Sequence, residues 1–529
     1  MMRFSPVLGW VLAYLVLAFL FLSPEVGNHS EAEDAFTYAR EVEVEGYREI
    51  LHPHHRLYHP LIKAVYELSG AERSYPVLVA VSQGAALLAL FFFSLLLREL
   101  GVKGEGRRFV FVAGLAFSYG FWRYTHEVEA YTVGSAVAMM ILWLFFRCRG
   151  AWRGVVMAVG LVLALNVHRA LGPPLLLAGG TLLVGQKEWR SLALFVISAG
   201  GLYLAAEWTA GQVGEPSRQG PEFSGFFYEE QTVERSQDRA GTKLSPASLP
   251  KAAIGLGSSV VATNLLMGVD PVFEFLQKRL FPYRFLQEER LLAQGQPIWF
   301  QALWALLLVA TLAGIAFFLW QVVRDWQQWR TWAPASWALL VATGGYAGMI
   351  VIFEPGNPEM WLLGVPFFWL VAALLMRAVS TRSLAVWTVV FAGGNFLGGM
   401  ALLAEEEKDY HFVTSRFIRA EGRPQDWYLL GYRGAVQARF VRYRVGALQV
   451  VPLPRESEKF ASFYHELTGE LSRGRRVFVH TTVLERPASF GVSLADFGLS
   501  YRPGPTPGGG GEIVLAAPGD EPHSVNSAR

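Results

Sequence analysis

Hydrophobic residues gather into long runs separated by short polar stretches rich in Lys and Arg. A helix crosses the hydrocarbon core of a bilayer with about 20 mostly apolar residues. Eleven runs of that character predict helices near 6–22, 75–97, 108–122, 128–146, 152–167, 168–185, 190–207, 298–321, 334–353, 359–376 and 383–404. Arg3 precedes the first run and no small-residue cleavage site follows it, so it is read as a retained helix and not a removed signal peptide.

Insertion keeps Lys and Arg on the cytoplasmic side of short loops. With the N-terminus in the cytoplasm, the inside loops hold Arg98, Lys103, Arg107 and Arg108; Arg147, Arg149 and Arg153; Lys187 and Arg190; Arg324 and Arg330; Arg377 and Arg382. The short outside loops then carry little beyond Arg123 and Arg169. This topology puts 23–74, 208–297 and the tail from 405 outside an inner (plasma) membrane. The expected domains are a transmembrane one, 1–404, and an extracytoplasmic α/β tail, 405–529.

The tail follows a different pattern. Asp426–Gly431, Leu448–Leu453 and Arg476–Thr481 read as short strands. Between the last two, Phe460, Phe463, Tyr464, Leu467 and Leu471 recur at helical spacing on one face. Strand–helix–strand order predicts a small α/β domain with a parallel sheet. Pro503–Gly511 reads as a Pro/Gly linker, and the last dozen residues as disordered. No internal repeat of clear period is seen.

Composition agrees with the runs. Of 529 residues, 52% are hydrophobic and only 17% charged, against about 25% charged in an ordinary soluble domain. That excludes a disordered chain, a soluble enzyme and a nucleic-acid partner. The net charge of +2 names no partner by itself, and the single Cys148 excludes an internal disulfide or a cysteine-based zinc or iron–sulfur site. The fold class expected is therefore an all-α polytopic membrane domain of about eleven helices with a small α/β domain at its C-terminus.

Candidate chemistry sits in the predicted outer loops. Residues 31–45 have helical character, with Asp34, Tyr38, Glu41 and Glu45 on one face. A carboxylate there can act as general base on an acceptor hydroxyl; the plain alternative is a solvated acidic helix. Next, His52, His54, His55 and His59 put four of the eleven histidines into one window. They suit a metal site, a polar and partly cationic wall that holds a phosphate, or a loop packed at headgroup level. Pro53 and Pro60 keep them off a single helical face. Arg123, His126, Glu127 and Glu129 stand where the chain leaves the bilayer, flanked by Trp122, Tyr124 and Tyr131. An aromatic belt accounts for the rings but not for the ionisable groups, which are costly at that depth. His168 and Arg169 cap the next outer hairpin, and Glu354 and Asn357 lie in an outer turn already shaped by Pro and Gly. The predicted membrane interiors hold almost no charge, Gln83 and Asn395 being among the few strongly polar residues. Polar groups collected at the outer helix ends suit a surface site served by a lipid-anchored substrate.

With these residues in view, the chain resembles the GT-C superfamily of polytopic membrane glycosyltransferases, and within it the bacterial branch related to protein O-mannosyltransferases. The resemblance rests on Glu33-Asp34-Ala-Phe after the first helix with His52–Leu61 downstream, on Phe121-Trp122 leading into Glu127-Val-Glu129-Ala-Tyr131, and on Leu165-Asn166-Val-His168 opening a Pro-containing hairpin. It covers roughly the first 185 residues, and 354–376 more loosely. It implies an inverting transferase that moves a sugar from a polyprenyl-phosphate donor to an acceptor hydroxyl on a glycan, lipid or protein. By position Asp34 is the catalytic carboxylate and Glu33 the second choice. Arg123 or Arg169, with His126 or a loop histidine, would stabilise the departing phosphate. His54, His55, His59, Glu127, His168, Glu354 and Asn357 complete the candidate donor contacts. No cofactor is fixed; divalent metal is required in some such enzymes and not in others, and a carboxylate–histidine site at Asp34 would be its place. The usual Gly beside the acidic residue is absent, and His54–Tyr58 stands where other members are rich in Pro and Gly. The competing readings are a lipid-linked saccharide flippase or transporter, which the apolar helices disfavour, and a non-catalytic scaffold. Convergence of Asp34, His54, Arg123, Glu127 and His168 on one outer cavity would favour the enzyme.

Overall fold

The apolar runs fold as helices, and the chain is an integral membrane protein. The computed structural model describes residues 6–29, 32, 34–52, 54–150, 152–213, 246, 248–280, 287–324, 327, 332–430, 434–446, 449–452, 459–480, 493–504 and 510–516. In chain order the first helices are α1 (Pro6–Leu22), α2 (Ala35–Val44), α3 (Tyr58–Ser69), α4 (Ser74–Glu99), α5 (Glu105–Ala116), α6 (Tyr119–Tyr124), α7 (Ala130–Arg147), α8 (Arg153–Val167), α9 (Gly172–Gly185) and α10 (Trp189–Val213). Later long helices are Ile298–Arg324, Pro334–Phe353 and Thr381–Asn395, the last continuing through a π turn to Leu403. Among the described residues, six helices are long and apolar enough to cross a membrane, with four shorter apolar helices beside them. Two compact units result: residues 1–26 with 41–404, and residues 27–40 with 405–529.

In the first unit α4 packs along α7, α8 against α10, and α9 against Pro334–Phe353. Three predicted spans are not single helices. The 108–122 run breaks at Phe117–Ser118, where Ser118 is extended. The 168–185 run starts with one 3-10 turn, Arg169–Leu171, before α9. The 359–376 run divides into Pro358–Trp361 and Val365–Leu375, each with Pro in its first turn. Run length does not register such breaks, because the residues on both sides are equally apolar.

A helix break buried in apolar surroundings leaves backbone groups that need partners. Asn395 supplies three. Its Oδ1 accepts from the Ala262 N–H at 2.8 Å, and its Nδ2 donates to the carbonyls of Phe117 at 2.7 Å and Val260 at 2.8 Å. Ser118 Oγ donates to the Gly114 carbonyl and accepts from Trp369 Nε1. The polar side chain that stood out in an apolar run is thus a staple between broken helices.

The second unit carries a five-stranded mixed sheet. Strands β1 (Trp427–Leu430), β2 (Gln449–Pro452), β3 (Val477–His480), β4 (Leu499–Pro503) and β5 (Gly510–Leu515) take the order β2-β1-β3-β5-β4. β1 pairs parallel with β2 and β3, as the strand–helix–strand pattern predicts, whereas β5 runs antiparallel to both β3 and β4. Pro503 and Gly511, the two ends of the stretch read as a linker, are paired residues of neighbouring strands, and 505–509 lie outside the described residues. The Pro and Gly content marks the connection between strands and conceals their ends. Phe460, Phe463, Tyr464 and Leu467 of the helix Phe460–Ser472 pack on Trp427, Leu429, Val477, Val479 and Ile513, with Leu471 at the margin. The expected disorder of the last dozen residues lies outside the described residues.

Residues 27–40, read from the sequence as part of the first outer segment, group with this sheet domain. The His29 N–H donates to Asp409 Oδ2 at 2.8 Å, while Asp409 Oδ1 caps the helix Tyr410–Glu421 through the N–H groups of His411 and Phe412. The Phe36 ring lies 4.0 Å from Phe440 and 5.7 Å from Tyr443, centroid to centroid.

Replacing Asn395 with Leu should preserve volume and orphan three backbone groups at once, each worth about 1–3 kcal/mol when buried. The thermal unfolding midpoint in detergent should drop clearly below that of wild type. An unchanged midpoint would show that the breaks do not depend on this side chain.

Candidate functional site

Four of the sequence clusters meet at one end of the first unit. The histidine loop between α2 and α3 is fixed by two backbone bonds: Leu57 N–H donates to the Asn166 carbonyl at 2.8 Å, and Arg169 N–H donates to the His54 carbonyl at 3.2 Å. From there the rings form a chain. His52 stacks on His55 at 5.2 Å and lies 5.6 Å from the buried His59. The edge of His55 meets His168 at 4.5 Å, His168 lies 5.6 Å from Tyr131, and Tyr131 lies 5.9 Å from Tyr124. The Tyr124 hydroxyl donates to Glu359 Oε1 at 2.7 Å, and the buried Arg123 guanidinium lies 5.4 Å from the Tyr124 ring. His54, His55, His59, Arg123, His168 and Arg169 thereby share one region.

The remaining candidates brace it. His126 Nε2 lies 3.1 Å from the Phe21 carbonyl at the end of α1, which Trp122 Nε1 also reaches at 2.8 Å. Glu127 accepts from the Tyr75 hydroxyl on α4 at 2.8 Å. Asn357 Oδ1 accepts from the Glu359 N–H at 3.0 Å, so Asn357 caps the short helix that presents Glu359. Glu354, half-buried, starts the same turn, its carbonyl accepting from the Asn357 N–H.

Two arginines converge on a carboxylate that the sequence reading passed over. Arg56 Nη2 lies 2.7 Å from Glu207 Oε2, Arg169 Nη2 lies 3.5 Å from Glu207 Oε1, and the Tyr203 hydroxyl bonds to the same carboxylate. Arg56 was hidden between histidines. Glu207 is the last residue of the predicted span 190–207. A carboxylate in an otherwise apolar helix was the available signal. Glu359, next to the selected Glu354 and Asn357, was also missed.

Asp34 belongs to the second unit, in the exposed turn before α2, with the Tyr38 hydroxyl 3.5 Å from its Oδ2. Glu33 lies outside the described residues. Among the described residues no group of three or more His, Cys, Asp or Glu side chains is placed to hold a metal ion.

Burial dominates the electrostatics of the histidine cluster. It pushes the His168 imidazole down to about 3, helped by His54 and His52. It also holds His55 well below the ordinary histidine range, with His168, His52, His59 and His54 adding to the effect. Both shifts favour the neutral ring. At His55 and His168 burial works against the charged form, whereas Arg56, Arg123 and Arg169 bring guanidinium groups to the same end. His168 Nδ1 accepts from the Ala170 N–H at 3.2 Å, which requires that nitrogen to be unprotonated.

No protein-family model matches the sequence, and no curated protein is significantly similar to it. Solved structures do share its fold. ArnT from Cupriavidus metallidurans bound to undecaprenyl phosphate is 13% identical, with a TM-score of 0.54, over 97% of this chain and 99% of that one. The apo state of the same enzyme gives 14% identity and a TM-score of 0.53 over the same shares. The arabinofuranosyltransferase AftD from Mycobacteria overlaps 98% of this chain and 40% of its own, at 12% identity and a TM-score of 0.39. The chain shares the fold of ArnT over nearly the full length of both chains.

The neutral histidines give stability a pH dependence of known sign. The unfolded chain takes up protons below about pH 6.5, while folded His168 resists them down to about 3. Their contribution is complete above about 6.5 and is lost as pH falls through that window, by up to about 1.4 kcal/mol per pH unit per histidine. Thermal midpoints should fall between pH 7.5 and 5. His168→Asn keeps a cap acceptor and removes the titration, so its midpoints should fall less; an identical slope would refute the assignment.

Proposed function

We propose that this protein is a membrane glycosyltransferase that moves a sugar from a polyprenyl-phosphate donor to an acceptor hydroxyl. The observation that carries the reading is the fold, which follows ArnT over nearly the full length of both chains, ArnT having been solved with undecaprenyl phosphate. Arginines gathered at one end of the first unit support it, since a phosphate leaving group needs cationic partners. The closer kinship to protein O-mannosyltransferases rests on the short motifs at 33–61, 121–131 and 165–168.

In the proposed reaction Asp34 takes the proton of the acceptor hydroxyl. The freed oxygen attacks the anomeric carbon, and the carbon–oxygen bond to phosphate breaks on the opposite face, so the configuration inverts. Polyprenyl phosphate departs with the bonding electron pair, its charge met by Arg123 and Arg169. Glu33 is the second candidate for the base. Donor contacts are assigned to the histidine loop, His168 and the Glu354–Glu359 turn, and the reaction is placed on the outer side of the membrane.

The decisive assay is transfer from defined polyprenyl-phosphate sugars. Asp34→Asn keeps the shape and removes the basicity, and should lower turnover by about 10²–10⁴-fold while the protein stays folded. Full activity in Asp34→Asn with loss in Glu33→Gln would move the base to Glu33; activity in both would end the general-base assignment for this loop.

The orientation is tested separately. In a Cys148→Ser background, a single cysteine at Ser462 should react with a membrane-impermeant maleimide from outside, and one at Arg98 only after permeabilisation. Labelling of Ser462 from the cytoplasmic side alone would place the reaction on the other face.

A further inference from the structure

The Arg56–Glu207–Arg169 triad has features that an ordinary ion pair lacks. Two guanidiniums face one carboxylate, leaving an excess positive charge, and Tyr203 adds a hydroxyl. Both arginines are held from the backbone side. Leu57, which follows Arg56, is bound to Asn166, and Arg169 itself is bound to His54. Arg169 is almost fully buried, at 5% side-chain exposure, whereas Glu207 keeps 26%. Arg56 keeps 17%, so the carboxylate is the most exposed member of the three and Arg169 the deepest.

The helix that supplies Glu207 adds a direction of approach. α10 is one of the six helices long and apolar enough to span a membrane, and its Val196, Ile197, Leu204 and Trp208 side chains are exposed. Such a surface faces acyl chains. Ionisable groups on a helix of this kind are costly and default to pairing or function. The neighbouring His55 and His168, being neutral, do not compete for the anion. Guanidinium is well suited to phosphate, which it can bind through two parallel N–H bonds.

From this arrangement we infer that Arg56 and Arg169 form a phosphate-binding subsite, reached from the lipid side of α10, in which the Glu207 carboxylate is an internal stand-in that an incoming phosphate displaces. The inference deepens the transferase reading and rests on it for the identity of the lipid. A phosphate brings up to two negative charges and three acceptor oxygens to a place that now holds one charge and two. Glu207 then swings aside, keeping the arginines paired when the subsite is empty and setting the affinity when it is filled. Displacing a built-in competitor lowers apparent affinity by the fraction of time the subsite is closed. Glu207 is thus a specificity-determining residue and not part of the bond-making chemistry.

The test measures binding alone, on the full-length protein in detergent. Undecaprenyl phosphate is titrated by native mass spectrometry and inorganic phosphate by calorimetry. Glu207→Gln should bind undecaprenyl phosphate about threefold to tenfold more tightly than wild type, and Arg56→Gln should bind it more weakly. Glu207→Asp, which shortens the carboxylate and retains its charge, should tighten binding by a smaller factor and serves if the Gln variant does not fold. Tightening for both ligands identifies a general phosphate subsite; tightening for the lipid alone identifies a headgroup subsite that needs the polyprenyl chain. Unchanged or weaker binding of both ligands in the Glu207 variants overturns the inference. Because no turnover is involved, a chain that transfers no sugar yet shows the tightening would lose the transferase reading and keep the subsite. A chain that transfers sugar without the tightening would do the reverse.

Discussion

Backbone hydrogen bonding in an apolar medium is the constraint on which the first unit depends. A continuous helix satisfies its own N–H and C=O groups, so a polytopic protein needs nothing more until it interrupts one. This chain interrupts several: at Phe117–Ser118, at Val260–Ala262, at His168 and across Glu354–Gly364. Asn395 and Ser118 meet the cost of the first two through hydrogen bonds of 2.7–2.9 Å. The third is met by the His168 ring itself, which caps the turn that follows it. The interruptions are also where polar side chains can leave the helix wall, so satisfying the backbone and assembling a site are the same structural problem.

Among the polar groups so assembled, desolvation decides which can carry charge. An imidazole can lose its proton at modest cost, and burial pushes His55 and His168 that way. A guanidinium holds its proton far more strongly, with an ordinary value above 12, so burial changes its partners and not its charge. Arg56 and Arg169 answer with Glu207, and Arg123 stacks beside Tyr124. The result is a division of labour: neutral rings give the region its shape, and arginines give it its sign.

The sequence made the membrane class legible because twenty apolar residues in a row have few other uses, and 334–353 is matched to the residue. Phe460, Phe463, Tyr464 and Leu467 were legible as one face because helical spacing is a local signal. The clusters at 52–59, 123–129, 168–169 and 354–357 were legible as places where polarity was expensive. What escaped was non-local or self-concealing. Strands β4 and β5 end in the same Pro and Gly residues that signal a linker. Glu207 vanished into a helix boundary, and Arg56 into a histidine-rich window. Nothing near residues 27–40 announces that His29 will bond to a carboxylate 380 residues away.

That distant bond bears on how the carboxylate proposed as the base is held. Asp409 spends one oxygen on capping its own helix and the other on the His29 N–H, so a single side chain couples the start of the sheet domain to the segment that carries Asp34. Phe36, two residues beyond Asp34, is buried against Phe440 and Tyr443. An exposed acid flanked by anchored residues can keep a fixed direction, which a general base needs. Under the proposed reaction, the part of the sheet domain would be to limit where the Asp34 carboxylate can point.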